Sequence, residues 1–381
     1  MFAVVTADPD NKLHMVGTPS GVVQRTVAVE AVTHGQTCAF NSARQLLAVA
    51  MKKNCVFLYD PAHQRPKHKC FMAEVIHCLE FSHCGNFLLG GGASGSIYFW
   101  LVATGELLFL VRGHLRQVTR LSFAVDCARF VSSSDDSTVK VWALPTSSEA
   151  SPIATFSGHT MSVRSCQFSP SGDLIASGSS DRTLKVFAPH SAHQILSFQF
   201  SAGISAVQWL TDDRLVVGCD DSTIHFVAVE KQCHQTVGCA KSGHKGKILA
   251  LLPTKVQCQF MSACDSSVVL LWDWSKDSDA VVLFQVWGGI HGVCSLCFMD
   301  APRLDPVQMK GAPNLCGVLA KFPTLSDGLS DSSIGALGAI NVASRKRPRV
   351  ALDEVVASRI ATKKTDRLSV ANSLLQEVSD H

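Results

Sequence analysis

Apolar and polar residues alternate along this chain in brief runs, and each run ends in a cluster of Gly, Ser, Asp or Pro. Val163–Phe168 alternates, and the turn Ser169-Pro170-Ser171-Gly172-Asp173 follows. Leu174–Ser177 is the next run, Gly178–Asp181 turns again, and Thr183–Phe187 and Gln194–Phe200 complete the unit. Short alternating stretches bounded by turn residues predict β-strands, and no helical period runs through them. The same template fits Thr37–Phe40 with Leu46–Ala50 and Cys55–Tyr59, and Ile76–Phe81 with Phe87–Gly90 and Ile97–Trp100. It fits again at Val118–Phe123 with Arg129–Ser132 and Thr138–Trp142, and at Ile204–Trp209 with Arg214–Val217 and Thr223–Val227. Ile248–Leu252 with Gln259–Ser262 and Val268–Trp272 makes a sixth unit. A seventh is predicted from both chain ends, from FAVVTA, KLHMVGT and VVQRTVAV within residues 2–29 and from Gly292–Phe298.

The units carry a recurring mark. Gly-His pairs stand at Gly113-His114, Gly158-His159 and Gly243-His244, 45 and then 85 residues apart. After the first two pairs come Asp136 and Asp181, and then Trp142 and Phe187. A period near forty to forty-five residues with Gly-His and Trp-Asp-like marks is the sequence sign of a WD-repeat β-propeller. Seven blades of this size need roughly 280–315 residues, which suits a propeller over 1–301 of the 381-residue chain. Pairing of the two chain ends would close the ring and remove its open sheet edges. The predicted fold is therefore all-β, a seven-bladed WD-repeat propeller with a C-terminal helical tail.

Composition narrows the function. Charged residues make up 17% of the chain, below the usual ~25%, as expected for sheets buried on both faces. A net charge of +3 is too small to make the whole body a nucleic-acid binder. The opening MFAVVTADPDNK has neither a basic n-region nor a long apolar h-region, and no stretch approaches the ~18 apolar residues of a membrane span. The fifteen cysteines are thus expected to be reduced core residues in the cytosol or nucleus. Cys294 and Cys297 form a Cys-x-x-Cys without a second pair nearby, so no metal is expected. Gly90-Gly91-Gly92 opens no helix, and no phosphate loop or other cofactor site is expected.

His114, Ser132 and Asp136 have the composition of a catalytic triad, and so do His159, Ser177 and Asp181. Two copies at one period argue repeated structure. With Trp142 they are expected to form buried hydrogen-bonded tetrads, and Phe187 leaves the second copy without an indole N–H. The pattern has defects: Ser94 where Asp is expected, Val227 in place of Trp, and Asp265 one residue out of register with Trp272. Arg116, Arg164, Lys245 and Lys247 follow the Gly-His positions and are candidates for a basic rim that receives an acidic peptide or an RNA backbone.

Beyond the repeats the character changes. Residues 302–343 are Pro-containing and then rich in Ser, Gly and Ala, which predicts an irregular segment and a linker. Residues 344–381 hold the basic cluster Arg345, Lys346, Arg347 and Arg349, a candidate nuclear-import signal. An amphipathic stretch follows, with Leu368, Ala371, Leu375 and Val378 in three-four spacing. It predicts a helix that packs on the propeller, docks a partner or pairs two copies of the chain.

Leu88–Trp100 (LLGGGASGSIYFW), Thr104-Gly105-Glu106-Leu107-Leu108, His114 and Val118-Thr119 resemble one WD-repeat family beyond the generic motif. That family is the WD-repeat subunit of the Rix-type pre-ribosome complex, called IPI-three in fungi and WDR-eighteen in animals. Leu196–Val207 is similar to the family's fifth-blade connection, and the Pro-containing segment with its C-terminal helix is similar to the family's ending. The resemblance spans residues 75–300. The tail helix is shorter and less regular than the family's coiled coil, and 233–272 does not align cleanly.

The resemblance implies a non-enzymatic scaffold of the nucleus, in nucleolus or nucleoplasm. Its implied partners are Rix-type and TEX/IPI-type subunits, a midasin-type ATPase and the pre-ribosomal particle. The implied work is large-subunit maturation and removal of the internal transcribed spacer, with DNA replication licensing as a further role. The rival reading is a substrate receptor of a cullin-type ubiquitin ligase. Trp142-Ala143-Leu144-Pro145 and Trp272-Asp273-Trp274-Ser275 both lack the Arg of its Trp-Asp-x-Arg signature.

Overall fold

A computed structural model describes residues 2–6, 12–17, 23–28, 37–60, 66–144, 150–189, 193–229, 233–237, 244–254, 259–266, 268–274, 281–287 and 295–299. Contacts divide the chain into two units, Met1–Leu144 with Ser151–Gln308, and Pro145–Ala150 with Met309–His381. All the described strands belong to the first. The basic cluster and the amphipathic stretch after it lie outside the described residues.

Within the described residues the architecture is all-β, built of four-stranded antiparallel sheets, six of them with sequential strand order and one joining the last strand to the first three. β1 (Phe2–Thr6), β2 (Lys12–Gly17) and β3 (Val23–Ala28) open the chain. β4 (Cys38–Asn41), β5 (Leu46–Met51), β6 (Cys55–Tyr59) and β7 (Pro66–Phe71) form the next sheet. β8 (Ile76–Phe81), β9 (Phe87–Gly92), β10 (Ser96–Leu101) and β11 (Glu106–Arg112) follow. Then come β12 (Val118–Phe123), β13 (Arg129–Ser134), β14 (Val139–Ala143) and β15 (Ala154–Phe156). β16 (Val163–Phe168), β17 (Ile175–Ser179), β18 (Thr183–Phe187) and β19 (Gln194–Gln199) make another sheet. β20 (Ile204–Thr211), β21 (Arg214–Cys219), β22 (Ile224–Ala228) and β23 (Cys233–Val237) make the next. β24 (Ile248–Pro253), β25 (Gln259–Cys264), β26 (Val269–Trp274) and β27 (Val281–Trp287) precede β28 (Ser295–Met299).

β28 pairs antiparallel with β1, from Phe2 opposite Met299 to Thr6 opposite Ser295. The first strand of each sheet packs beside the first strand of the next: β4 with β8, then β12, β16, β20, β24 and β28, and β28 returns to β4.

The core lies between neighbouring sheets. Ala48, Leu58, Leu79, Leu88 and Trp100 bury one such interface, and Val131, Val141, Phe156, Val163 and Phe187 another. Second strands are buried along their whole length, as in β9, β17 and β21, while outer strands such as β11 and β19 alternate toward solvent. This is the burial expected when both faces of a sheet are covered and its outer edge is wet.

In three second strands, close approach of the next sheet depends on a glycine. A Cβ on Gly91 would sit 2.5 Å from Cys78 Sγ and 2.6 Å from Val118 Cγ1. At Gly178 it would meet Ile204, and at Gly218 it would meet Ile248. Val118, Ile204 and Ile248 are the first residues of the adjoining inner strands, so each leans into the space that a glycine leaves. The Gly90-Gly91-Gly92 run serves three different neighbours, because Gly90 admits the Trp100 ring and Gly92 admits Glu74.

A second repeated device is a register shift after the first residue of the inner strand. It falls between Ile76 and Cys78, Val118 and Arg120, Val163 and Ser165, Ile204 and Ala206, and Ile248 and Ala250. Such bulges raise local twist and re-aim a side chain. Here two of the bulged residues tie one sheet to the next: Thr119 Oγ1 donates to Val163 O at 2.6 Å, and Ser205 Oγ to Ile248 O at 2.5 Å.

Overpacking a tight core site costs about 1–3 kcal/mol. Gly91→Ala is therefore expected to lower unfolding stability in urea by that amount, and an unchanged midpoint would remove the close-approach argument.

Candidate functional site

The tetrad residues come from four places in each repeat: the loop before the first strand, the second strand, the turn after it, and the third strand. His114 Nε2 lies 2.7 Å from Ser132 Oγ, and Trp142 Nε1 donates to the same oxygen at 2.9 Å. Ser132 therefore gives its proton to Nε2 while accepting from the indole. That leaves the imidazole proton on Nδ1, facing Asp136 Oδ2 at 3.0 Å. Asp136 also accepts from the Leu115 amide at 3.0 Å and from Thr138 Oγ1 at 2.6 Å. The next repeat repeats the geometry, with His159 to Ser177 at 2.7 Å and to Asp181 at 2.9 Å. Phe187 supplies no donor there, and packs instead on Phe156 at 4.4 Å between ring centroids.

Burial pushes His114 and His159 below the usual imidazole range and outweighs the opposing pull of Asp136 and Asp181. Burial acts upward on the Asp136 carboxyl, but the hydrogen bonds from His114, Thr138 and the Leu115 amide hold it well below the carboxylate range. The pair is thus neutral imidazole and carboxylate. This has the hydrogen-bond order of a serine hydrolase triad, yet Ser132 and Ser177 are both 0% exposed. A nucleophile sealed from solvent has no path to a substrate, so the arrangement satisfies buried polar groups rather than reacting.

The defective repeats show what replaces the tetrad. In the β8–β11 sheet, Glu74 accepts from the Ser94 amide at 2.5 Å, from Ser94 Oγ at 2.7 Å and from Tyr98 OH at 3.0 Å. A carboxylate from the rim loop does the work of the missing Asp. Sequence inspection missed Glu74 because it lies outside the Gly-His register. In the β20–β23 sheet, Asp221 binds Ser201 at 3.0 Å and Thr223 at 2.5 Å, and Phe200 meets His225 edge-on at 4.8 Å.

Asp265 belongs to a different row from Asp136. Its amide donates to Lys247 O at 3.0 Å, just as the Asp135 amide donates to Gln117 O at 3.0 Å and the Asp220 amide to Gly203 O at 2.9 Å. Asp135, Asp220 and Asp265 therefore form a rim row one residue ahead of the tetrad Asp. Ser162 Oγ bonds to Asp135, and Asp220 holds Arg164 Nη1 at 3.1 Å and Lys247 Nζ at 3.2 Å.

These contacts divide the four candidate rim cations. Arg164 and Lys247 share Asp220, whereas Arg116 and Lys245 are exposed. Arg116 borders a rim groove of about 800 Å³ with Asp135, Ser162, Thr160 and the exposed apolar side chains Leu115 (90%) and Met161 (54%).

Of the nine cysteines whose side chains are described, all but Cys84 are buried. Burial pushes the Cys166 thiol up to about 12, which leaves it unreactive at neutral pH. Among the described residues no group of three or more His, Cys, Asp or Glu is placed to hold a metal ion. Cys294 lies outside the described residues, as does any side-chain geometry at Cys297.

The family model for the WD domain, G-beta repeat, matches residues 65–100, 105–143 and 150–187. Protein ROOT INITIATION DEFECTIVE 3 of Arabidopsis thaliana is 30% identical over 256 residues, covering 63% of this chain and 58% of that protein. WD repeat-containing protein 18 of Bos taurus is 28% identical over 254 residues, covering 62% and 59%. The pre-rRNA-processing protein IPI3 of Yarrowia lipolytica is 26% identical over 265 residues, covering 61% and 60%. The chain thus spans less than two thirds of the length of these relatives. In fold it is similar to a chain from a crystal structure of the mitotic checkpoint complex, at a TM-score of 0.63 and 17% identity, covering 72% of this chain and 84% of that one.

Two outcomes test the tetrads. His114→Ala or Asp136→Ala strands a buried partner and is expected to cost about 1–3 kcal/mol; melting temperatures equal to the wild type in both would count against it. The unfolded imidazoles titrate at the ordinary 6.5, and the folded His114, His159 and His244 below it, His244 at about 4. Below the unfolded value the unfolded chain takes up protons that the folded chain refuses, so stability is full above that value and is lost as the pH falls. Melting temperature should drop between about pH 7 and about pH 5, and a flat profile would refute the neutral-histidine assignment.

Proposed function

We propose that this chain, a WD-repeat protein of the WD repeat-containing protein 18/IPI3 type, is a non-enzymatic scaffold subunit of a nuclear complex that matures the large ribosomal subunit. The observation that carries the reading is its likeness to relatives named as pre-rRNA-processing proteins, 26% identical in Yarrowia lipolytica and 25% in Schizosaccharomyces pombe. Its seven sheets act as blades of one ring, closed where β28 meets β1. A rigid ring presents many loops at two rims and holds several partners at fixed distances, which is what an assembly subunit needs. The expected partners are Rix-type subunits and a midasin-type ATPase on the pre-ribosomal particle, and the expected step is removal of the internal transcribed spacer. The tail from Ser344 supplies import through Arg345, Lys346, Arg347 and Arg349, and its amphipathic stretch docks a partner or a second copy.

Affinity purification of the tagged chain, sedimented beside ribosomal precursors, tests the reading. Recovery of midasin, Rix-type subunits and large-subunit precursors is expected. Recovery of a cullin adaptor, or of no stable partner, would overturn it. Neutralising Arg345, Lys346, Arg347 and Arg349 together is expected to move the protein out of the nucleus. An unchanged nuclear signal would assign its import to a partner.

A further inference from the structure

The β24–β27 sheet keeps half of a tetrad. His244 Nε2 lies 2.7 Å from Ser262 Oγ, which accepts from Trp272 Nε1 at 2.7 Å. As in the complete repeats, this order leaves the imidazole proton on Nδ1. His244 is only 5% exposed, and its Nδ1 has no hydrogen-bond partner. The turn register explains the loss. Cys264 N donates to Val268 O at 3.2 Å, as Ser134 N donates to Thr138 O at 3.3 Å. Ser266 therefore holds the position of Asp136, and Val268 that of Thr138. Ser266 Oγ is too short a reach to replace a carboxylate and pairs with Cys264 Sγ at 2.8 Å.

In the complete repeats a single carboxylate oxygen accepts two protons. Asp136 Oδ2 takes His114 Nδ1 and the Leu115 amide, both at 3.0 Å, and Asp181 Oδ2 takes His159 Nδ1 at 2.9 Å and the Thr160 amide at 3.0 Å. The equivalent donors here are His244 Nδ1 and the Lys245 amide. Ser266, at the carboxylate's position, is exposed at the rim, while His244 Nδ1 itself is shielded from solvent. The charged side chains beside it among the described residues are Lys245, Lys247 and Asp265. Lys245 is exposed, and Lys247 is held by Asp220.

We propose that this vacancy is a receptor for a carboxylate supplied in trans, an Asp or Glu side chain of a protein partner, which completes the tetrad by accepting from His244 Nδ1 and the Lys245 amide. Lys245 adds the charge complement for an acidic segment. The built donors, the buried orphan and the matching carboxylates two and three repeats away all specify the same ligand group. The site does not depend on which assembly the chain joins. Bound carboxylate would also raise the His244 pKa from about 4, as an anion beside an imidazole does.

The test uses the full chain labelled with ¹⁵N histidine, with the His244 signal assigned by its loss in His244→Gln. Acetate is titrated against chloride at matched ionic strength. A saturable shift of His244 Nδ1 in acetate is expected, with His114 and His159 unmoved because their Nδ1 atoms are already taken. The Ser266→Asp/Val268→Thr variant, which supplies its own carboxylate and hydroxyl, should melt higher and lose the response. An unmoved His244, an equal shift in chloride, or an equal response in the variant would overturn the site. A glutamate-rich peptide in place of acetate should bind at least about tenfold tighter, a gain that Lys245→Glu removes. Equal affinity for peptide and acetate would overturn a protein segment as the occupant.

Discussion

A buried imidazole has two ring nitrogens to satisfy, and this fold answers each from a different strand or turn. Nε2 meets a serine on the second strand, and Nδ1 meets a carboxylate in the turn beyond it, while the histidine itself precedes the first strand. Closing that chain of hydrogen bonds fixes three segments of one repeat relative to each other. Because the network is dry, its members are worth most when all are present and cost most when one is missing. The apolar packing between sheets then builds on repeats whose internal geometry is already set. In β9, β17 and β21 a glycine decides how near the next sheet comes.

The local signals were legible in the sequence and the relational ones were not. Alternation gave the strands because side chains in a strand point to opposite faces, and the Gly-His spacing placed His114 with Ser132 and Asp136. The two aspartate rows were harder to separate. Asp135 and Asp136 are neighbours in sequence, so Asp265 looked like a displaced tetrad member until its amide was seen on Lys247 O. Glu74 was hidden for a related reason, since its role comes from where the rim loop brings it and not from any spacing. The basic rim looked uniform in sequence because charge type is local, whereas the carboxylate of Asp220 that claims Arg164 and Lys247 arrives from another sheet.

The repeats differ in how they complete this network. The two complete His-Ser-Asp chains stand in adjacent sheets, only the first with its Trp, and on either side the network is rebuilt or cut short: by Glu74 before them, by Phe200 and His225 after them, and by Ser266 further on. On this account stability is concentrated in the middle repeats, and the flanking repeats are freer to diverge at their rims. Sealed serines leave the tetrads chemically quiet, and burial raises the thiols of Cys70, Cys78, Cys166 and Cys219, while the rim exposes Arg116, Lys245 and the groove beside Leu115 and Met161.

The central claim is that complete His-Ser-Asp chains set the local stability of their repeats. Native-state hydrogen exchange read by mass spectrometry over the strands tests it directly, because protection reports the free energy of local opening. The account predicts slowest exchange in β12–β14 and β16–β18 and faster exchange in β24–β26, where His244 is left half-satisfied. Equal protection across the three sheets, or slower exchange in β24–β26, would contradict it.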